Sequence, residues 1–247
     1  MKVLYFTATG NNLYIAKRLG GECYSIPKLL KEGDLDVEAE KIGIVFPVFY
    51  SGVPKIVEEF LDKSNLKSKY IFAIASYGSF SWGTSRHLLE IAGRNRIEFS
   101  YYNEILMVDN YLPVFDMNKQ LKKEPGKKIE EKLDRIIKDI GEKRSYIKTN
   151  AAFTQIIRSG QMKRYDSSFE KNFLVGSNCN GCKVCEKVCP VDNIKVDERP
   201  VFNNNCQHCL ACIHNCPQVA ISLKKEKSTA RFRNRNVTLN EIINANS

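Results

Sequence analysis

Eight of the chain's nine cysteines fall into two runs of identical spacing. The first is Cys179-x2-Cys182-x2-Cys185-x3-Cys189-Pro190 and the second Cys206-x2-Cys209-x2-Cys212-x3-Cys216-Pro217, each cysteine 27 residues from its counterpart. An isoleucine, Ile194 or Ile221, follows each proline. Three thiolates two residues apart wrap one face of an iron–sulfur cubane within a single loop. The fourth, just before proline, starts a short helix and points the other way, onto the neighbouring cluster. The spacing therefore predicts two [4Fe–4S] clusters with crossed ligation. Cys179, Cys182, Cys185 and Cys216 hold one; Cys206, Cys209, Cys212 and Cys189 hold the other. The exchange locks together two units that are each too small for a core of their own. Structural zinc also uses Cys-x2-Cys pairs, but spaces two such pairs well apart and requires no duplicated run with a proline after each fourth ligand. His208 and His214, inside or beside the second run, read as exposed bystanders. Cys23, alone in an apolar context, reads as a small buried side chain.

These runs resemble the bacterial two-cluster ferredoxins over about 50 residues. The resemblance implies that the module moves electrons. A reducing compartment is the expected setting, because thiols there stay free for metal. The apolar stretch Val3 to Phe6 ends at Thr7, too soon for a signal peptide, and no run approaches the ~18 apolar residues of a membrane span. The chain is thus expected in the cytosol.

Upstream, apolar strands alternate with amphipathic helices. Val3–Phe6, Cys23–Ile26, Ile42–Phe46, Tyr70–Ala75 and Ile105–Val108 read as five strands. Asn11–Leu19, Val53–Leu61, Ser85–Ala92 and residues 127–144 read as helices, the last with Ile129, Leu133, Ile136, Ile137 and Ile140 on one face and Gly141 at its end. Strands apolar throughout imply a parallel sheet covered on both faces, so the fold class is α/β, a doubly wound five-stranded parallel sheet, followed by a small α+β cluster module. The domains are expected at 1–145, a connector at 146–172 with a helical hint at Phe153, Ile156 and Ile157, the cluster module at 173–223, and a basic tail at 224–247.

Three loops stand at the C-terminal ends of predicted strands, where open α/β sheets bind ligands. Thr7-Ala8-Thr9-Gly10-Asn11-Asn12 offers hydroxyls and N–H groups at a helix N-terminus, which suits an anion. It lacks the Gly-Lys-Ser/Thr ending of a Walker loop and is no GxGxxG fingerprint. It resembles the FMN phosphate loop of flavodoxins, with Asn12 where that pattern has threonine. Pro47-Val48-Phe49-Tyr50-Ser51-Gly52-Val53-Pro54 and Ser76-Tyr77-Gly78-Ser79-Phe80-Ser81-Trp82-Gly83 combine aromatics with Gly and Ser, as a stacked flat ring needs. In flavodoxins, loops at these places hold the isoalloxazine; Tyr50, Tyr77 and Trp82 are the candidates for ring contact. Asp109-Asn110-Tyr111 is expected to border the same crevice.

With its Thr-x-Thr-Gly-Asn loop and Asp-Asn-Tyr-x-Pro segment, the whole chain resembles flavodoxin-like proteins that carry a C-terminal two-cluster ferredoxin module. That resemblance implies an electron carrier binding FMN and two [4Fe–4S] clusters. The alternative is a flavin-dependent reductase of a small molecule, fed by the clusters; Tyr50, Tyr77 and His87 could donate protons, but each reads better as structural or stacking. The formal charge of +10 falls by roughly four with two clusters and by about two more with a flavin phosphate. Its basic residues are spread along the chain, including Arg231, Arg233 and Arg235, with no nucleic-acid recognition motif, so an acidic redox protein is the better partner than nucleic acid.

Overall fold

The structure is a computed structural model that describes residues 1–149 and 167–247. Phe153, Ile156 and Ile157 lie outside the described residues.

A six-stranded parallel sheet forms the N-terminal body. Its strands are β1 (Lys2–Tyr5), β2 (Glu22–Ser25), β3 (Lys41–Pro47), β4 (Tyr70–Tyr77), β5 (Phe99–Leu106) and β6 (Tyr146–Ile147). In these labels the spatial order is 2-1-3-4-5-6, and every pairing is parallel. The order reverses between β1 and β3, so the loops leaving those strands diverge and open a crevice.

Helices cover both faces. On one face, α1 (Asn11–Leu19) contributes Leu13, Ile15, Ala16 and Leu19 to the core, and α6 (Ile129–Gly141) contributes Leu133, Ile136 and Ile140. On the other, α2 (Ile26–Glu32), α3 (Lys55–Lys63) and α4 (Thr84–Arg94) bury Leu29, Ile56, Phe60, Leu88 and Ile91. The stripe expected on 127–144 is therefore present, and the helix ends at Gly141. One more helix, α5 (Met117–Lys123), precedes α6.

Two expectations need correction. The sheet has six strands, not five: Tyr146 and Ile147 pair with Tyr101 and Tyr102, and Lys148 bridges the buried Glu104 at 2.6 Å. A two-residue edge strand is too short to leave a periodic signal. The fifth strand also begins at Phe99, well before Ile105. Polar Asn103 and Glu104 hid it. Both are buried and satisfied, Asn103 by donating to Tyr101 Oη and Glu104 by accepting from Tyr102 Oη and Ser81 Oγ.

The cluster module is bounded by two antiparallel ribbons. β7 (Phe173–Val175) pairs with β10 (Ile221–Leu223), and β8 (Ile194–Val196) with β9 (Pro200–Phe202). Ile194 and Ile221, equivalent in the repeat, are both buried. Between them lie the short helices α7 (Val184–Lys187) and α8 (Ala211–His214).

The terminal segment packs back onto the body. It ends in α9 (Leu239–Asn246), whose Thr238 and Glu241 form a reciprocal capping box. Val237, Ile242 and Ala245 join the core on the α1 face together with Val188 and Ala211 of the cluster module. Lys17 pairs with Glu241 at 2.8 Å, and Ser25 Oγ donates to Ala245 O. The segment is an integral wedge between the two parts. Ile242→Ala is expected to cost about 2–5 kcal/mol in denaturant unfolding, the range for an aliphatic cavity in a core; a loose tail would give a change near zero.

Candidate functional site

The two cysteine runs fold alike. Residues with left-handed backbone recur at the repeat interval: Gly181 and His208, Lys183 and Leu210, Asp192 and Val219. A β-branched residue such as Val219 at φ 50° is costly unless its surroundings impose it. Here the thiol-bearing loops do so. In each run the fourth cysteine's Sγ accepts from the backbone N–H four residues on, Asn193 N to Cys189 at 3.2 Å and Ala220 N to Cys216 at 3.3 Å.

The structure brings the four thiols of the first expected set around one space. A small cavity is lined by Cys179, Cys182, Cys185 and Cys216 together. Burial pushes the Cys185 thiol up to about 12 against a hydrogen bond from the Glu186 backbone, and charge on Cys216, Cys182 and Cys179 pushes it the same way. Burial raises Cys212 well above the ordinary thiol range, and charge on Cys209, Cys206 and Cys189, together with Cys185 of the other expected set, pushes it the same way. Burial likewise carries Cys206 up to about 12, with Glu170 and Cys189 adding to it. Thiols held so high are protonated in the bare chain, so a cluster must displace those protons to bind. Among the described residues no group of three or more His, Cys, Asp or Glu side chains closes around a single ion. A cubane sets its four thiolates at separate corners instead.

The crevice at the sheet's switch point is a cavity of about 500 Å³. Thr7, Thr9, Asn11 and Asn12 form its floor, with Pro47, Val48, Phe49, Tyr50 and Ser51 on one side and Ser76, Tyr77 and Gly78 on another. Asp109, Asn110 and Tyr111 border it as expected. Gly10, Gly52 and Trp82 do not line it. Gly10 (φ 97°) faces the terminal segment, where an added Cβ would lie 3.0 Å from Val237 Cβ. Gly52 closes a turn with Phe49, and an added Cβ there would meet His87 Nδ1 at 2.8 Å. Trp82 stands behind Phe80, stacked at 4.1 Å, and Phe80 is the ring that reaches the cavity. His87 is structural: its Nδ1 accepts from Val53 N at 3.1 Å.

Phe169, just before the cluster module, and His208, Cys209 and Leu210 within it supply a further wall. His208 and His214 are not exposed; both are buried at this junction. His208 stacks on Phe169 at 4.2 Å, its Nδ1 lies 2.6 Å from Tyr50 Oη, and its backbone N donates to Cys206 Sγ at 3.3 Å. His214 Nε2 lies 2.8 Å from Asn110 O, and its Nδ1 accepts from Phe232 N. Tyr50 and Ser51 adopt left-handed backbone in a two-residue turn closed by reciprocal Phe49–Gly52 bonds, a geometry that favours Asn and Gly. The Tyr50–His208 bond helps hold that turn. Cys23, on edge strand β2, is exposed rather than buried.

A family model described as a 4Fe-4S dicluster domain matches residues 137–235. The cysteine module is a 4Fe-4S dicluster domain. The match reaches back into α6 and forward over the start of the terminal segment. Over 64 residues, a quarter of the chain, the sequence is 46% identical to a subunit of the ion-translocating oxidoreductase complex of Methanosarcina acetivorans. The chain spans 24% of that relative's length. Among solved structures, the rubredoxin oxygen:oxidoreductase of the anaerobe Desulfovibrio gigas is similar at a TM-score of 0.33 and 13% identity, over 56% of this chain and 35% of that one.

Phe80 belongs to the expected third loop but takes the place at the cavity expected of Trp82, and Phe169, His208, Cys209 and Leu210 in the wall leave no comparable signal in the sequence. The repeat held one clue, since His208 and Leu210 occupy positions equivalent to Gly181 and Lys183 but carry side chains suited to burial. Crossed ligation is expected to appear as paired non-additivity. Cys182→Ser and Cys216→Ser should each lower iron from about eight to about four per chain, and together by no more. Cys182→Ser with Cys189→Ser should remove both clusters.

Proposed function

We propose that the protein is an electron-transfer iron–sulfur flavoprotein. In this reading the N-terminal domain is flavodoxin-like and holds FMN, and electrons pass between that site and the two clusters, to or from a redox partner protein. The observation that carries the reading is the shared wall: an occupant of the crevice touches Cys209, a ligand assigned to the second cluster. The strand order 2-1-3-4-5, which excludes only the edge strand β6, is that of flavodoxin-type sheets, with the ligand crevice at the β1/β3 reversal. The similarity to a subunit of an oxidoreductase complex supports the electron-transfer half.

The residues present suit FMN. The cavity has the size of a small-cofactor site and combines aromatic walls with a few polar groups. Thr7, Thr9, Asn11 and Asn12 would hold the phosphate; Tyr50, Tyr77 and Phe80 would border the ring. When bound, FMN supplies redox chemistry in one- or two-electron steps, whereas the clusters carry single electrons. The rest of the chain sets the route. In the second set Cys189, Cys206 and Cys212 are buried and Cys209, at the crevice, is half-buried; in the first only Cys185 is buried, Cys179 and Cys216 are half-buried and Cys182 is exposed. The second cluster thus faces the crevice and the first faces the surface, where an acidic partner protein would dock against the basic chain.

Asp109 favours a second reading, a flavin-dependent reductase of a small molecule. Its carboxyl lines the cavity and is held above the usual carboxylate range by burial, against hydrogen bonds from Ser79 Oγ at 2.8 Å and Tyr111 N at 3.2 Å. Such a group can hold a proton beside a ligand.

Anaerobic purification followed by metal, sulfide and flavin analysis tests the main reading. About eight iron and one FMN per chain are expected. Zinc in place of iron would remove the clusters, and iron without flavin would leave the N-terminal domain as a docking scaffold. Steady turnover of a small molecule, with reduced ferredoxin supplied, would favour the reductase.

A further inference from the structure

Three consecutive carbonyls leave β1 without ladder partners, and each is met by an asparagine from far along the chain. Asn246 Nδ2 donates to Thr7 O at 3.2 Å, Asn215 Nδ2 to Ala8 O at 3.1 Å, and the Asn234 backbone N to Thr9 O at 2.8 Å. The first two use one device. Each amide gives one hydrogen to the carbonyl four residues back in its own chain, Ile242 O or Ala211 O, and the other to the loop. Both hydrogens are used and both amide oxygens are left without a partner, which fixes which end of each amide faces the loop. A carboxylate there would set oxygen against two carbonyl oxygens.

In a trans peptide the C=O of one residue and the N–H of the next point to opposite sides of the same plane. No peptide here is cis. With the carbonyls of Thr7 and Ala8 turned to the asparagines, the N–H groups of Ala8 and Thr9 turn the other way. Those of Asn11 and Asn12, in the first turn of α1, are free of intrahelical partners. Among the described residues no protein acceptor meets these four N–H groups. All four residues line the cavity, and Asn12, 2% exposed, carries an amide oxygen with no partner.

We propose that Asn215 and Asn246 are positioning residues: by holding the Thr7 and Ala8 carbonyls from behind, they aim the loop's N–H groups into the cavity and set its preference for a phosphate-bearing ligand. The proposal rests on the flavin reading. It gives the asparagine-rich end of the chain a role at the opposite end of the sequence. It also separates the two sides of the loop: the outer side is occupied by protein, the inner side is open to an anion.

The test measures the binding of FMN and of riboflavin, which lacks the phosphate, to full-length cluster-loaded protein by flavin fluorescence. Asn215→Ala and Asn246→Ala should each weaken FMN about 3- to 10-fold, as expected for one lost hydrogen bond, while riboflavin affinity stays unchanged. Asn244→Ala, exposed on the same helix as Asn246, should change neither. Iron content and the unfolding midpoint report that each variant is folded. Should Asn246→Ala lose iron or its cooperative transition, Asn246→Ser, which keeps one donor, takes its place. An equal loss of both ligands, or an unchanged ratio of FMN to riboflavin affinity, overturns the positioning role. Wild-type protein that binds neither flavin overturns the flavin reading first, and this proposal with it.

Discussion

The carbonyls of Thr7, Ala8 and Thr9 must find donors once β1 ends, because a buried C=O without a partner costs about as much as a lost hydrogen bond. The molecule is arranged around those donors. One comes from the cluster module, through Asn215, and two from the terminal segment, through Asn234 and Asn246. Meeting them requires α8 to abut the switch point of the sheet and the terminal segment to cross behind α1. The crevice opens where the strand order reverses, and these three contacts fix the cluster module and the terminal segment against it.

The same constraint explains why the histidines are buried. Once α8 sits against the sheet, His214 faces the Asn110 carbonyl and His208 faces Tyr50 and Phe169. Burial holds His214 neutral, down to about 4, with Arg231 adding to the effect against the bond to Asn110. A neutral ring with one donor and one acceptor nitrogen can bridge the Asn110 carbonyl and the Phe232 amide, which an imidazolium cannot. The junction is therefore built from directional hydrogen bonds and aromatic stacking, which fix register between the two parts more tightly than apolar contact alone.

Within the cluster module, geometry follows from local spacing. The left-handed residues recur at the interval of the cysteines, and the N–H to sulfur bonds recur with them. Hydrogen bonds to cluster sulfurs and solvent exposure are the protein's means of setting cluster potential. The two sets differ in exposure more than in hydrogen bonding. Cys209 of one set lines the crevice, whereas Cys182 of the other is exposed.

The amino-acid sequence alone determined the cysteine grouping, the parallel sheet, α1 and the apolar stripe of α6, and the three loops at the crevice. Each rests on a pattern among residues close in the chain: thiol spacing, continuous apolar runs, a 3.6-residue stripe. It also contained the Thr238-x-x-Glu241 box that starts α9, a local signal with a local meaning. Tertiary structure decided what those patterns could not express. Asn246 meets Thr7 across 239 positions and Asn215 meets Ala8 across 207. Contacts over such separations leave no periodicity. The strand Phe99–Leu106 was obscured because its buried Asn103 and Glu104 look like solvent-facing residues until their partners are seen. The exposed Cys23, the short strand Tyr146–Ile147 and the cavity wall at His208 and Cys209 were settled by the same thing, the packing of distant segments against one another.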